Sequence, residues 1–203
     1  MDNWSSQIIV YGIMAIFAEN AIFSRGLGVE RALLMTEQRG TLLLFGATVT
    51  GCLVPAGLLS HYLSVALQNT KMYLYAVRPV LFILIMIAVY FLFKQVLGRI
   101  SNKKFKQVWQ SISSSLHLAM FNSAVFGTLL LCSTQDLSVF QTLGFCIGSG
   151  IGFTIAVLYV AEGDRKLQNR NVPAAFKGMP VMLLYLGIIS MCIYAFTGYQ
   201  LAF

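Results

Sequence analysis

The stretch ENAIFSRGLGVE, residues 19–30, decides the fold, because it interrupts an apolar run that begins near Gln7 and reads as a membrane crossing. It carries a carboxylate at Glu19, a guanidinium at Arg25, glycines at Gly26 and Gly28, and a second carboxylate at Glu30. A charged side chain at the centre of a bilayer costs at least about 2.5 kcal/mol, even on insertion scales. Glu19 stands roughly twelve residues into its segment, about 18 Å deep at the rise of a helix. It is therefore expected to be paired, protonated or sited at a break. Arg25 lies six residues further on, beyond the i to i+4 reach of a continuous helix. Gly26 and Gly28 would let the chain unwind there and bring charges or backbone amides back toward the midplane.

The surrounding composition agrees with a membrane setting. The chain of 203 residues is 58% hydrophobic and 10% charged, with a mean hydropathy of +0.76, whereas globular chains carry roughly 25% charged residues. The fold class is all-α integral membrane. About 20 apolar residues cross the hydrocarbon core as a helix, and six such segments are read at 7–25, 41–67, 73–97, 112–132, 138–161 and 179–203. They leave almost no room for a soluble domain, so residues 1–203 read as a single membrane domain. The first segment lacks a basic leader and a small-residue cleavage site, so it reads as part of the mature protein and not as a signal peptide.

Orientation follows from the loops. With six crossings, one side receives Arg25, Arg31, Arg39, Lys94, Arg99, Lys103, Lys104, Lys106, Arg165, Lys166, Arg170 and Lys177, twelve of the fourteen basic residues. The other side has Lys71 and Arg78, with Asp2 and Asp136. Positive-inside bias then turns both termini away from the cytoplasm. The net charge of +7 is mainly this orientation signal, and no basic soluble domain exists to bind nucleic acid. The basic loop 94–107 would suit an acidic partner or anionic headgroups, although orientation bias accounts for it equally. Cys52, Cys132, Cys146 and Cys192 sit in apolar segments without CxxC spacing, which argues against a zinc site or a disulfide framework. No hydrolase or kinase motif is present.

The chain also looks duplicated. Ala21, Ile22 and Phe23 match Ala124, Val125 and Phe126 at a spacing of 103, with a one-residue slip at Asn20 and Asn122. Three crossings per half is an odd number, so two such halves, approximately 1–100 and 101–203, lie in inverted orientation. Interrupted segments in corresponding positions of inverted repeats point to a midplane site. Glu19, Asn20 and Asn122 are the polar candidates there, with His117 more readily read as an interfacial group. Gly144, Gly148 and Gly152 recur every four residues on one helix face, where small residues let two backbones approach in lipid. Pro55 and its neighbour Gly57 are expected to kink or interrupt the second segment. Pro180 near a helix start is structurally cheap.

The C-terminal run from Leu143 to Gly198, with its glycine string, charged loop and Val-Pro followed by Lys-Gly, closely resembles membrane subunits of the Rnf and Nqr respiratory complexes. The resemblance is to the A subunit of Rnf and the E subunit of Nqr. ENAIFSRGLG and FNSAVFG resemble that family's first-segment and fourth-segment motifs, so the likeness extends over essentially the whole chain. It implies six helices in two inverted three-helix halves, with helices one and four broken near the midplane and both termini outside a prokaryotic plasma (inner) membrane. Further implications are a related membrane subunit of opposite topology and other redox-complex subunits as partners. The assembly would be an ion-translocating, NAD-linked oxidoreductase in which this chain is a non-catalytic subunit. The family holds an iron-sulfur cluster between paired subunits, two cysteine thiolates from each, for electron transfer coupled to sodium or proton transport. Here the first ligand place, after Leu27, Gly28 and Val29, is Glu30, and the second, after Asn122, is Ser123.

Carboxylate and hydroxyl oxygens suit hard cations better than a cluster, so no cofactor is predicted. Two other readings stay open. A diverged secondary transporter or channel for a cation or small solute would use Glu19 and Glu30, with Asn20, Asn122 and Ser123 as neutral oxygens. A structural scaffold would pack through the Gly144 face.

Overall fold

The computed structural model describes residues 4–34, 39–67, 74–99, 106–167 and 172–197. Asp2, Lys71, Lys103, Lys104 and Arg170, which enter the orientation count, lie outside the described residues, as does the end of the last apolar segment, 198–203. Among the described residues the regular structure is entirely helical. The helices are α1 (Trp4–Ile16), α2 (Val29–Leu34), α3 (Arg39–Leu67), α4 (Leu74–Arg99), α5 (Lys106–Met120), α6 (Ser123–Thr134), α7 (Val139–Leu167) and α8 (Met179–Thr197), with one 3-10 turn at Ala174–Phe176. Segments of α3, α4 and α7 are long and apolar enough to cross a membrane. Together α5 and α6 meet the same test as a pair bent by 49°, and α1 and α8 are shorter apolar helices.

Two of the apolar segments are not single helices. The segment read as 7–25 is helical only to Ile16 and resumes at Val29, and the one read as 112–132 is broken at Phe121 and Asn122. Polar side chains that bond their own backbone compete with the helical ladder, and an asparagine sits inside each gap. Contrary to expectation, α3 is not interrupted at Pro55. One missing donor is tolerated when neighbouring helices hold the segment, and Cys52, Leu53, Ala56 and Gly57 around it are all buried.

At the centre α3 packs on α7, each helix 29 residues long. Their contact is reciprocal: a Cβ added to Gly46 would collide with Thr154, and one added to Gly150 would collide with Thr50. Each threonine turns its hydroxyl back along its own helix, Thr50 to the Gly46 carbonyl and Thr154 to the Gly150 carbonyl, both at 2.8 Å. This removes the hydroxyls as orphan donors while the threonine side chains fill the space each opposing glycine leaves. Phe45 and Phe153 stack beside the crossing with ring centroids 6.2 Å apart. Around this pair, α1 lies on α7, α5 on α3, α4 against α3 and α5, and α8 on α7. The stripe of Gly144, Gly148 and Gly152 faces α1: the first two meet the backbones of Ile8 and Gly12, and a Cβ at Gly152 would stand 3.1 Å from the Ile16 Cα. Close backbone approach of this kind is how helices pair where apolar burial supplies little drive. It places the N-terminal helix, and the break that follows it, against the middle of α7.

Candidate functional site

The first break begins where α1 loses its regular ladder. Phe17 N–H still donates to the Ile13 carbonyl at 3.2 Å, but Glu19 N–H reaches back five residues to Met14 at 2.9 Å. Asn20, 2% exposed, then starts a new turn. Its Oδ1 accepts from the N–H groups of Ile22 and Phe23 at 3.0 and 3.2 Å, and its Nδ2 donates to the Ile16 carbonyl at 2.8 Å. Ser24 N–H donates to the Asn20 carbonyl, and Gly26 N–H to that of Ile22, both at 3.0 Å. Gly26 and Gly28 follow with φ of +67° and +79°, the left-handed region that glycine enters without a Cβ clash. The turn ends there and the chain is redirected into α2. Because it doubles back, Arg25 reaches Glu19: its Nε donates to Glu19 Oε2 at 2.9 Å, and its Nη2 pairs with the same oxygen.

The second break is shorter. Asn122 is the N-cap of α6, its Oδ1 accepting from Ala124 N–H at 3.1 Å, and its carbonyl accepts from Phe126 N–H at 3.2 Å. Side-chain oxygen at this position satisfies a donor the helix start leaves free. Asn122 Nδ2 is buried without a hydrogen-bond partner among the described residues. One turn further, Thr128 donates to the Ala124 carbonyl at 2.7 Å, and its hydroxyl bonds that of Ser149 on α7 at 2.8 Å.

Among the described residues one hydrogen bond joins the first break to the start of α6. Gly28 N–H donates to Ser123 Oγ at 2.9 Å across 95 residues of sequence. Beside it, a Cβ on Gly28 would stand 3.1 Å from Asn122 Oδ1 and 3.0 Å from Ala124 Cβ, and Leu27 fills the space left by Gly127. Gly28, the residue before α2, is thus seated on the start of α6, while α2 itself packs on α7. Of the sequence candidates, Gly28, Asn122 and Ser123 gather around these two helix starts, while the Asn20 side chain bonds Ile16, Ile22 and Phe23 in its own turn. Glu30 stands exposed in the first turn of α2, and Glu19 is tied to Arg25. His117 is exposed on α5. Cys52, Cys132 and Cys146 are buried, and Cys192 is exposed. Among the described residues no group of three or more His, Cys, Asp and Glu side chains is arranged to hold a metal ion.

Two features escaped the sequence. The Gly28 to Ser123 bond joins residues with no local signal of contact. Arg78, counted above only for orientation, lines a polar cavity formed by Ser60, His61, Ser64, Ser133, Asp136 and Thr142, among others. An arginine four residues into a helix gives no sign that it turns inward.

The chain is 28% identical over 194 residues to the A subunit of the Na(+)-translocating ferredoxin:NAD(+) oxidoreductase complex of Acetobacterium woodii, covering 96% of this chain and 98% of the relative. It is 30% identical over 186 residues to the A subunit of the ion-translocating oxidoreductase complex of Syntrophotalea carbinolica, covering 92% and 94%. With the E subunit of the Na(+)-translocating NADH-quinone reductase of Photorhabdus laumondii it shares 26% over 192 residues, covering 93% and 96%. The family described as "Rnf-Nqr subunit, membrane protein" matches residues 8–201. By that match, over nearly its whole length, the chain belongs to the Rnf-Nqr family of membrane subunits.

Proposed function

We propose that the chain is a membrane subunit of an Rnf/Nqr-type ion-translocating electron-transport complex. In this reading it pairs with a related subunit of opposite orientation and binds no iron-sulfur cluster at Glu30 and Ser123. The observation that carries the proposal is the end-to-end match to the two A-type relatives, each covered to 94% or more. Six crossings in two inverted halves complete it. Support for the halves comes from the equal lengths of α3 and α7, the reciprocal Gly46–Thr154 and Gly150–Thr50 contacts, and the like hydrogen bonding of Asn20 and Asn122. The basic residues orient both termini away from the cytoplasm, with the two breaks near the midplane.

The donor set does not fit the cluster that the family resemblance implies. Iron-sulfur clusters are held by thiolates, and both family places offer oxygen instead. The Ser123 oxygen is already engaged by Gly28 N–H. On α6, Cys132 stands nine residues beyond Ser123, about 13 Å along the helix. The reading as a cation transporter through Glu19 and Glu30 is the weaker one, because the Glu19 carboxylate is held by Arg25.

Affinity purification of the tagged chain from its native membranes, followed by mass analysis, tests the assembly. Co-purification of redox subunits and a related membrane subunit is expected; recovery of the chain by itself counts against the complex. An anaerobic preparation of the separated chain is expected to hold iron far below one cluster per chain. Stoichiometric iron would refute the cluster-free reading and leave the assembly standing.

A further inference from the structure

Where α3 and α6 end and α4 and α7 begin, the helices leave a cavity of about 70 Å³. One water needs about 10–15 Å³, so the space admits several waters or a planar ion of a few heavy atoms. Among the described residues its unpaired buried groups can both donate, the arginine N–H as a donor alone and the threonine hydroxyl as donor or acceptor. Arg78 Nε and Thr142 Oγ1 are buried with no partner among the described residues, and Thr142 is 1% exposed. The serines around them are engaged. Arg78 Nη1 leans on the Ser133 carbonyl at 3.4 Å, and the Ser64 and Ser133 hydroxyls lie in hydrogen-bond contact at 3.0 Å.

Arg78 is half-buried with its Nε out of solvent, a setting in which a charge favours a counter-ion, and no ion pair to Arg78 is found among the described residues. The Nε edge of arginine is one side of the fork that grips a carboxylate through two parallel hydrogen bonds. Asp136, the one carboxylate among the described lining residues, is exposed and makes no ion pair with Arg78. We propose that this cavity binds a small monovalent oxyanion of carboxylate or nitrate size. Arg78 and Thr142 are its donors, and Asp136 repels ions of higher charge.

The opposite signs of these groups give the test. Full-length protein is purified in detergent, and its thermal unfolding is followed with rising sodium formate against sodium gluconate at equal ionic strength. Gluconate offers the same carboxylate on a molecule too large for the cavity. Formate is expected to stabilise saturably and gluconate is not. A hundredfold excess over half-saturation multiplies the folding equilibrium by about 100. Arg78→Gln should abolish the formate response, and Thr142→Val should raise half-saturation several-fold. Asp136→Asn should lower it, since a like charge is removed. Asp136 has φ of +47°, which asparagine also tolerates, so this variant keeps the backbone. Should Arg78→Gln fail to fold, the opposed shifts of Thr142→Val and Asp136→Asn decide the matter. Equal responses to formate and gluconate, no response to either, or weaker binding in Asp136→Asn would each overturn the proposal; the second outcome means the cavity holds only water.

Discussion

Between α1 and α2 the chain leaves regular helix for residues 17–28, whereas between α5 and α6 it leaves it only at Phe121 and Asn122. The two breaks nevertheless open with the same device. In each, an asparagine side chain accepts the N–H two residues on, and its carbonyl accepts the N–H four residues on. The difference comes afterwards. From Asn122 the turn propagates directly into α6. From Asn20 it runs one turn, then Gly26 and Gly28 turn left-handed and the chain must start again. A break thus needs only one capping side chain to begin, and its length is set by what the backbone does next.

The two left-handed glycines should give the largest effect. A Cβ at Gly28 would stand 2.8 Å from Phe153 Cε2 and close to Ala124 and Asn122, while a Cβ at Gly26 would meet nothing within 4 Å. Left-handed backbone costs an L-residue about 1–2 kcal/mol, and overpacking adds about 1–3 kcal/mol. Gly28→Ala is therefore expected to lose about 2–5 kcal/mol and Gly26→Ala only about 1–2, measured by reversible unfolding in mixed detergent. Equal losses would show that Gly28 is not packed against Phe153 and the start of α6, and the two breaks would then be separate features.

The asparagines come next. Asn20 satisfies two buried N–H groups and anchors its own amide to Ile16, so Asn20→Ala leaves donors unpaired and should lose about 2–4 kcal/mol. Asn122→Ala removes one cap bond, typically about 1 kcal/mol, but also deletes the buried Nδ2 that has no partner among the described residues. Its net loss is expected at or below about 1 kcal/mol in the same unfolding measurement. A larger loss than that of Asn20→Ala would reverse the comparison and assign Nδ2 a partner.

How far the sequence foretold this depends on the kind of signal. Apolar length marked α3, α4 and α7, and the polar and glycine letters of residues 19–30 marked the first break. The end of α1 at Ile16 was not marked, because Phe17 and Ala18 are as apolar as the helix before them. Of the two outcomes expected at Pro55, a kink or an interruption, the interruption does not occur, because the missing donor is visible in sequence and the buried neighbours that hold α3 together are not. The apolar match at a spacing of 103 aligned side-chain types, whereas the asparagine caps align at 102, since a cap depends on backbone position and not on hydrophobicity. Glu19 and Arg25 looked too far apart for a helix, and only the doubled-back turn joins them. At the candidate site each half was legible on its own, but the contact between them spans 95 residues and no local pattern reports it.

That contact gives the smallest quantity, a coupling between the two breaks, and the closest test of the comparison. Ser123 Oγ is the acceptor for Gly28 N–H at 2.9 Å, so Ser123→Ala leaves that amide unpaired and should lose about 1 kcal/mol, the usual worth of such a bond. Ser123→Thr keeps the hydroxyl and should retain most of it. If the bond ties the break after α1 to the start of α6, disturbing one side must alter the value of the other. Combining Ser123→Ala with Asn20→Ala is then expected to show a coupling energy of about 0.5–1 kcal/mol, beyond the roughly 0.3–0.5 kcal/mol within which independent sites add. Strict additivity would mean that the turn at Asn20 does not hold Gly28 in place, and that each break is maintained by its own cap.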